Sequence, residues 1–110
     1  MSIRVLTWNK PRVTTEKELR KVMEVEGLKP YVLVMEKNEF TGSQQNKFDE
    51  TRTLVSGRLE FCAEGRSHAL KPGDRIDLTA GTVYTVKNLE NGQSVMLCAT
   101  VGERVYIEKY

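Results

Sequence analysis

The stretch QQNKFDETRTLVSGRLEF, residues 44–61, holds a carboxylate and a guanidinium two positions apart, Glu50 and Arg52. Residues two apart on a strand share a face. If Glu50 faces the inside of a β-structure, so do Arg52 and Leu54. Such a pair has two chemical uses. The charges can neutralise one another as a structural ion pair, or Arg52 can offer its planar fork to a ligand carboxylate or phosphate. In either case removing one partner is costly. The usual catalytic groups are sparse elsewhere. The single histidine, His68, shares a strand face with Leu70 and has no obvious partner in sequence for general-base work. It reads as a strand histidine satisfied at the edge of the fold. Cys62 and Cys98 form no CxxC pair, which excludes zinc-ribbon and thioredoxin-like sites. Each lies in a strand-like run and reads as a small buried thiol, with no disulfide expected in a reducing compartment.

The elements that must position these residues follow from the pattern. At 110 residues the chain is one domain, able to bury a core without staples. Thr15 followed by Glu18 forms a capping-box signature, and Leu19, Val22 and Met23 fall at helical spacing. Gly27 and Pro30 then stop the helix. Before it, IRVLTW reads as a short strand. After Pro30 come short strands separated by turn signals: YVLVMEKN, TRTLVSG, RLEFCAE, SHALKPGD, RIDLTAG, TVYTVKNLE, QSVMLCATV and RVYIEKY. This spacing implies a sandwich or small barrel. Asn91-Gly92 between two strands is a hairpin signal, and Gly57 marks a break or bulge.

The net charge of +2 is spread among acids, as in TEKELRKVMEVE, and forms no basic stripe of the kind that binds nucleic acid. The longest apolar run, YVLVM, is far short of the roughly 20 residues of a spanning helix. MSIRVLTWNK lacks the parts of a signal peptide. The expectation is a cytoplasmic protein with neither nucleic-acid nor membrane partners.

Two segments, EGLKPYVLVMEKNEFTGSQQNKFDETRTLVSGRLEF and HALKPGDRIDLTAGTVYTVKN, together resemble the cupins. These are small jelly-roll barrels with the motifs G-x5-H-x-H-x3,4-E-x6-G and G-x5-P-x-G-x2-H-x3-N. Glu50 and Gly57 match the end of the first motif. A three-residue spacer places its two histidine positions at Gln44 and Asn46, and its opening glycine at Asn38. In the second, Gly73 opens the motif, Thr79 replaces the proline, Gly81 matches, Tyr84 takes the histidine position and Asn88 closes it. The resemblance covers residues 27–100. It implies an all-β, cupin-like double-stranded β-helix (jelly-roll) barrel with an N-terminal strand and one short helix. Residues 1–29 would be the arm and helix, and residues 30–110 the barrel, within a single domain 1–110.

In such barrels three histidines and a glutamate hold a divalent metal. Here three of the four positions are Gln44, Asn46 and Tyr84, and only Glu50 is retained. A four-residue spacer gives Ser43 and Gln45 instead, which are no better donors. Amides and a neutral phenol are weak ligands beside imidazole, so no metal and no cofactor is expected. The resemblance then implies a hydrogen-bonding pocket in which Gln44, Asn46, Glu50, Arg52 and Tyr84 contact a small polar ligand. Three alternatives stand beside it: an oxygen-ligated metalloenzyme, an isomerase using Glu50 and Tyr84, and a structural dimerisation module with a vestigial pocket. A homodimer is the expected assembly, with IRVLTW covering an edge strand in a partner subunit.

Overall fold

Strand formation follows the two-residue period. In RIDL, residues 75–78, Ile76 and Leu78 are buried while Arg75 and Asp77 are half-buried on the other face. LEFCA, residues 59–63, buries Leu59, Phe61 and Ala63 in the same way. The structure is a computed structural model that describes residues 3–7 and 15–101. The elements are β1 (Ile3–Leu6), α1 (Glu16–Val25), β2 (Tyr31–Met35), β3 (Phe40–Gln45), β4 (Asp49–Ser56), β5 (Leu59–Ala63), β6 (Arg66–Leu70), β7 (Arg75–Leu78), β8 (Val83–Asn88) and β9 (Ser94–Val101).

The strands form two sheets, of order β1-β7-β4-β9-β2 and β3-β8-β5-β6, with every neighbouring pair antiparallel. Their facing sides supply one core. Leu54, Ile76, Leu78, Met96 and Cys98 come from the first sheet and Leu59, Phe61, Tyr84 and Val86 from the second. This is the jelly-roll sandwich expected from the sequence. Burying a side chain of this size stabilises by about 1.5–3 kcal/mol.

Helix α1 starts where the capping box predicts. The Thr15 hydroxyl accepts from the Glu18 backbone N–H at 3.2 Å. Gly27, at φ +86°, follows the last turn. The helix lays Leu19 and Met23 on the outer face of the first sheet, against Leu97 and Ala99, while Val22 stays exposed. No helix among the described residues is long and apolar enough to cross a membrane.

The chain crosses from one sheet to the other at Gly57, between β4 and β5. Its φ of +92° suits glycine, and a Cβ there would meet Ser94 Oγ at 2.1 Å. The Asn91-Gly92 turn departs from expectation. It forms no hairpin, because β8 and β9 lie in different sheets. The connection is organised by the buried amide of Asn88. Its Nδ2 donates to the carbonyls of Glu36 and Gly92, both at 2.8 Å, and its Oδ1 accepts from Ser94 Oγ at 2.7 Å. A second departure is β3. FTGSQQ has no alternating apolar pattern, yet it pairs with the edge of β8. A third concerns the N-terminal arm. β1 pairs with β7 of its own chain, so its sheet-forming capacity on that side is spent within the subunit. The Trp8 and Pro11 part of the arm and the expected strand RVYIEKY lie outside the described residues.

Candidate functional site

The site begins with β4. Its period of two turns Glu50, Arg52 and Leu54 toward the other sheet, while Thr51 and Thr53 face the helix side. Arg52 Nε donates to Glu50 Oε1 at 2.5 Å, and both side chains are only 11% exposed. The ion pair is therefore the arrangement the chain adopts. Arg52 also spans the barrel. Its Nη2 donates to the Tyr84 hydroxyl on β8 at 3.1 Å. The guanidinium lies over the rings of Tyr84 and Phe61, 5.5 and 5.9 Å from their centroids.

Tyr84 passes the chain of hydrogen bonds on. Its hydroxyl donates to Asn46 Oδ1 at 3.0 Å. Asn46 is itself held by its backbone, whose carbonyl accepts from the Gly81 N–H at 3.0 Å. Next to it, Gln45 Nε2 donates to the Gly81 carbonyl at 2.8 Å, and the Ala80 N–H donates to Asp49 Oδ1, also at 2.8 Å. The turn before β8 thus clamps the end of β3. The result is a directional path from Arg52 through Tyr84 to Asn46. At its end, Asn46 Nδ2 is buried with no protein acceptor. The amide orientation follows from the path, since a hydroxyl that accepts from Arg52 has its own proton left to give to Asn46 Oδ1.

Of the residues singled out in sequence, Asn46, Glu50, Arg52 and Tyr84 form this one connected group. Gln44 does not join it. It is opposite Tyr84 in register but exposed, and its amide donates to the nearby Gly42 carbonyl. His68 lies opposite Phe61 in register on β6, and its Nε2 is a second buried atom without a partner. Three contributors were not separable from ordinary core in the sequence: Phe61, Cys98 and Tyr31. Cys98 is directly across from Arg52 on β9, and Tyr31 is across from Cys98 on β2. Neither run carries a clear signal, since YVLVM is apolar throughout; the register across β4, β9 and β2 is what brings both alongside Arg52, with Tyr31 still 47% exposed.

The electrostatics favour protonated neighbours around a charged pair. Burial pushes the Tyr84 phenol above its ordinary pKa, with Arg52 opposing and Glu50 adding to the rise. Burial likewise pushes the Cys98 thiol up to about 12. Burial works against the Arg52 charge, but the nearby Cys98 and Glu50 more than offset it, so its pKa is raised. A tyrosinate or thiolate base is therefore not on offer near neutral pH.

The donor set does not suit the metal that cupin barrels commonly hold. Asn46 Oδ1 is occupied by Tyr84, the phenol is held protonated, and the Glu50 carboxylate is held by Arg52. Among the described residues no three His, Cys, Asp or Glu side chains cluster as ligands.

Solved structures place this architecture. No protein-family profile and no curated protein matches the chain. A cupin superfamily protein from Desulfitobacterium hafniense superposes with a TM-score of 0.59 at 11% identity, over 90% of this chain and 76% of that one. A DUF861-family protein from Thermotoga maritima gives 0.59 at 16% identity, over 90% and 99%. The cupin domain of a Schizosaccharomyces pombe protein gives 0.65 at 11% identity, over 97% and 64%. The chain has the cupin fold. At these identities the likeness carries the fold and leaves the chemistry to the residues above.

Proposed function

We propose that this cupin is a metal-free binder of a small polar molecule, contacted by Asn46, Glu50, Arg52 and Tyr84. The observation that carries this is the unmet Asn46 Nδ2 donor at the end of an otherwise satisfied path. A buried donor without an acceptor costs about 1–3 kcal/mol. An incoming ligand oxygen would satisfy it. The raised phenol of Tyr84 speaks against an isomerase that needs it as a base, and the Arg52-bound Glu50 speaks against a metalloenzyme.

The test is a thermal-shift panel of small metabolites on the wild type and Asn46→Leu. Binding raises the melting temperature by mass action. At least one compound should raise it in the wild type and fail to do so in the variant. A panel with no stabilising compound, together with native mass spectra showing no retained small molecule, contradicts the proposal.

A second reading concerns assembly as a homodimer. Strand β2 is an edge of the first sheet, and Tyr31, Val32, Leu33 and Val34 are all more than a third exposed. The strand has no charge or proline between Pro30 and Glu36 to deter pairing. Such a strand is self-complementary, and the occupant we assign to it is the same strand of a second copy related by a two-fold axis. Sedimentation should show a dimer that Val32→Lys/Val34→Lys converts to a folded monomer. A wild-type monomer at high concentration overturns this assignment.

A further inference from the structure

We infer that a ligand reaches Arg52 and Asn46 through the gap between strands β2 and β3, and that Tyr31 and Gln44 at the mouth of that gap control what enters. This inference rests on the binding function proposed above and adds the route and two residues to it.

The gap is a consequence of the sheet order. β2 ends the first sheet and β3 ends the second, so the sandwich is open wherever these two edges do not meet. At one end they are tied together. Asn88 Nδ2 donates to the carbonyls of Met35, at 3.3 Å, and Glu36, at 2.8 Å, and the Asn88 N–H donates to the carbonyl of Glu39 at 2.9 Å. Away from that tie the inner face of β2 becomes progressively uncovered. Met35, Leu33 and Tyr31 lie opposite Ser94, Met96 and Cys98 on β9, of which Met96 and Cys98 face the core. Among the described residues their exposure rises along the strand from 2% to 36% to 47%. β3 shows the same trend. Thr41, opposite the core residue Val86, is half-buried, while Gln44, opposite the core residue Tyr84, is exposed. The other side of the sandwich differs, because β1 packs Ile3 and Val5 against the core.

The open end of the gap is level with the polar cluster. Arg52, Cys98 and Tyr31 form one row across β4, β9 and β2. Tyr31 is therefore two strand spacings, roughly 10 Å, from Arg52. On the other sheet Gln44 is beside Tyr84, whose hydroxyl joins Arg52 to Asn46. Burial raises the pKa of the Tyr31 phenol, Glu50 and Cys98 add to the rise and Arg52 opposes it. The half-exposed phenol thus shares the field of the cluster. The two sides of the mouth are unlike: Tyr31 and Leu33 make a largely apolar edge, and Gln44 supplies an amide held only by a 3.4 Å bond to the Gly42 carbonyl. Pairing of β2 with a second copy engages the free backbone edge of the strand and leaves Tyr31 on the inner face.

The experiment closes the mouth chemically. In a Cys62→Ser background the remaining native thiol, Cys98, is buried. There Tyr31→Cys is coupled to a bulky maleimide. Gln44→Cys, coupled in the same way, closes the mouth from the other edge and keeps the test open if the first variant does not fold. Val32→Cys, on the outer face of β2 opposite Leu97, is the control. The readout is solvent exchange of the Arg52 Nε–H, followed by nuclear magnetic resonance, which needs no ligand. Coupling at position 31 or 44 should slow that exchange by roughly tenfold, and coupling at position 32 should leave it unchanged. A metabolite that stabilises the wild type should lose its effect when position 31 or 44 is coupled and keep it when position 32 is. Exchange that is the same with and without the coupled groups at 31 and 44 overturns the inference. A compound that still binds with the mouth closed also overturns it and leaves the binding function intact. Slowed exchange with a silent metabolite panel supports the route and counts against the binding function alone.

Discussion

The Arg52 guanidinium on one sheet donates to the Tyr84 hydroxyl on the other at 3.1 Å. This bond, together with the Glu50 ion pair, places a charged cross-brace where a jelly-roll barrel would otherwise be filled with apolar side chains. The brace fixes the Tyr84 hydroxyl, and through it the free end of the Asn46 amide.

Breaking the brace from one side should be costly. Arg52→Ala leaves Glu50 as an uncompensated, nearly buried charge, and such losses run to about 3–5 kcal/mol. The double variant Glu50→Gln/Arg52→Met removes both charges and should recover most of that loss. Urea denaturation of the three proteins measures both effects. An Arg52→Ala variant as stable as wild type would show that the brace is energetically idle.

Metal should play no part in stability. With Glu50 held by Arg52 and Asn46 Oδ1 by Tyr84, a divalent cation has to dismantle the hydrogen-bonded path to find ligands. Plasma emission spectrometry on protein purified without chelator should find well under one metal per chain, and a chelator should leave the melting temperature unchanged. Near-stoichiometric metal that disappears in Glu50→Gln would reverse this view.

Acid should weaken the fold partly through Asp77. Burial alone would raise its pKa, but the hydrogen bonds from Thr51 and Arg4 and the charge of Arg75 outweigh it and hold the carboxyl below its ordinary 3.8. A lowered native pKa gives stability that is present above the unfolded value and lost as pH falls through the native one. Asp77→Asn should therefore be less stable than wild type at pH 7, and the gap should close as pH falls below about 4. Stability–pH curves that stay parallel would remove Asp77 from the acid limb.

The two thiols should differ in reactivity. Cys98 has no exposed surface and its pKa is pushed up to about 12, while Cys62 is partly exposed on β5. A disulfide-exchange reagent at pH 8 should modify Cys62 in the native protein and reach Cys98 only after unfolding. Equal rates at both would mean that the inner face opens readily.

Local features were legible in the sequence, and features made by distant pairing were less so. The Thr15–Glu18 cap and the Gly57 crossing are written in neighbouring residues and appear where expected. β3 was hidden, because FTGSQQ has the composition of a loop and becomes a strand by pairing with β8. Asn91-Gly92 carried a genuine hairpin signal, but Asn88 and Ser94 organise a connection between sheets instead. Within the site, alternation alone put Glu50 beside Arg52. The bond between Asn46 and Tyr84 joins residues 38 apart. Only the resemblance of two separate motifs hinted that those positions meet.

The central claim is that the Asn46 amide receives a ligand oxygen. The most direct measurement is a nitrogen–proton correlation spectrum of the side-chain amides, with the Asn46 signal assigned by its loss in Asn46→Leu, during titration with the small-metabolite panel. The account predicts that this signal shifts saturably with at least one probe and slows its exchange with solvent. An Asn46 signal unmoved by every compound of the panel would contradict it.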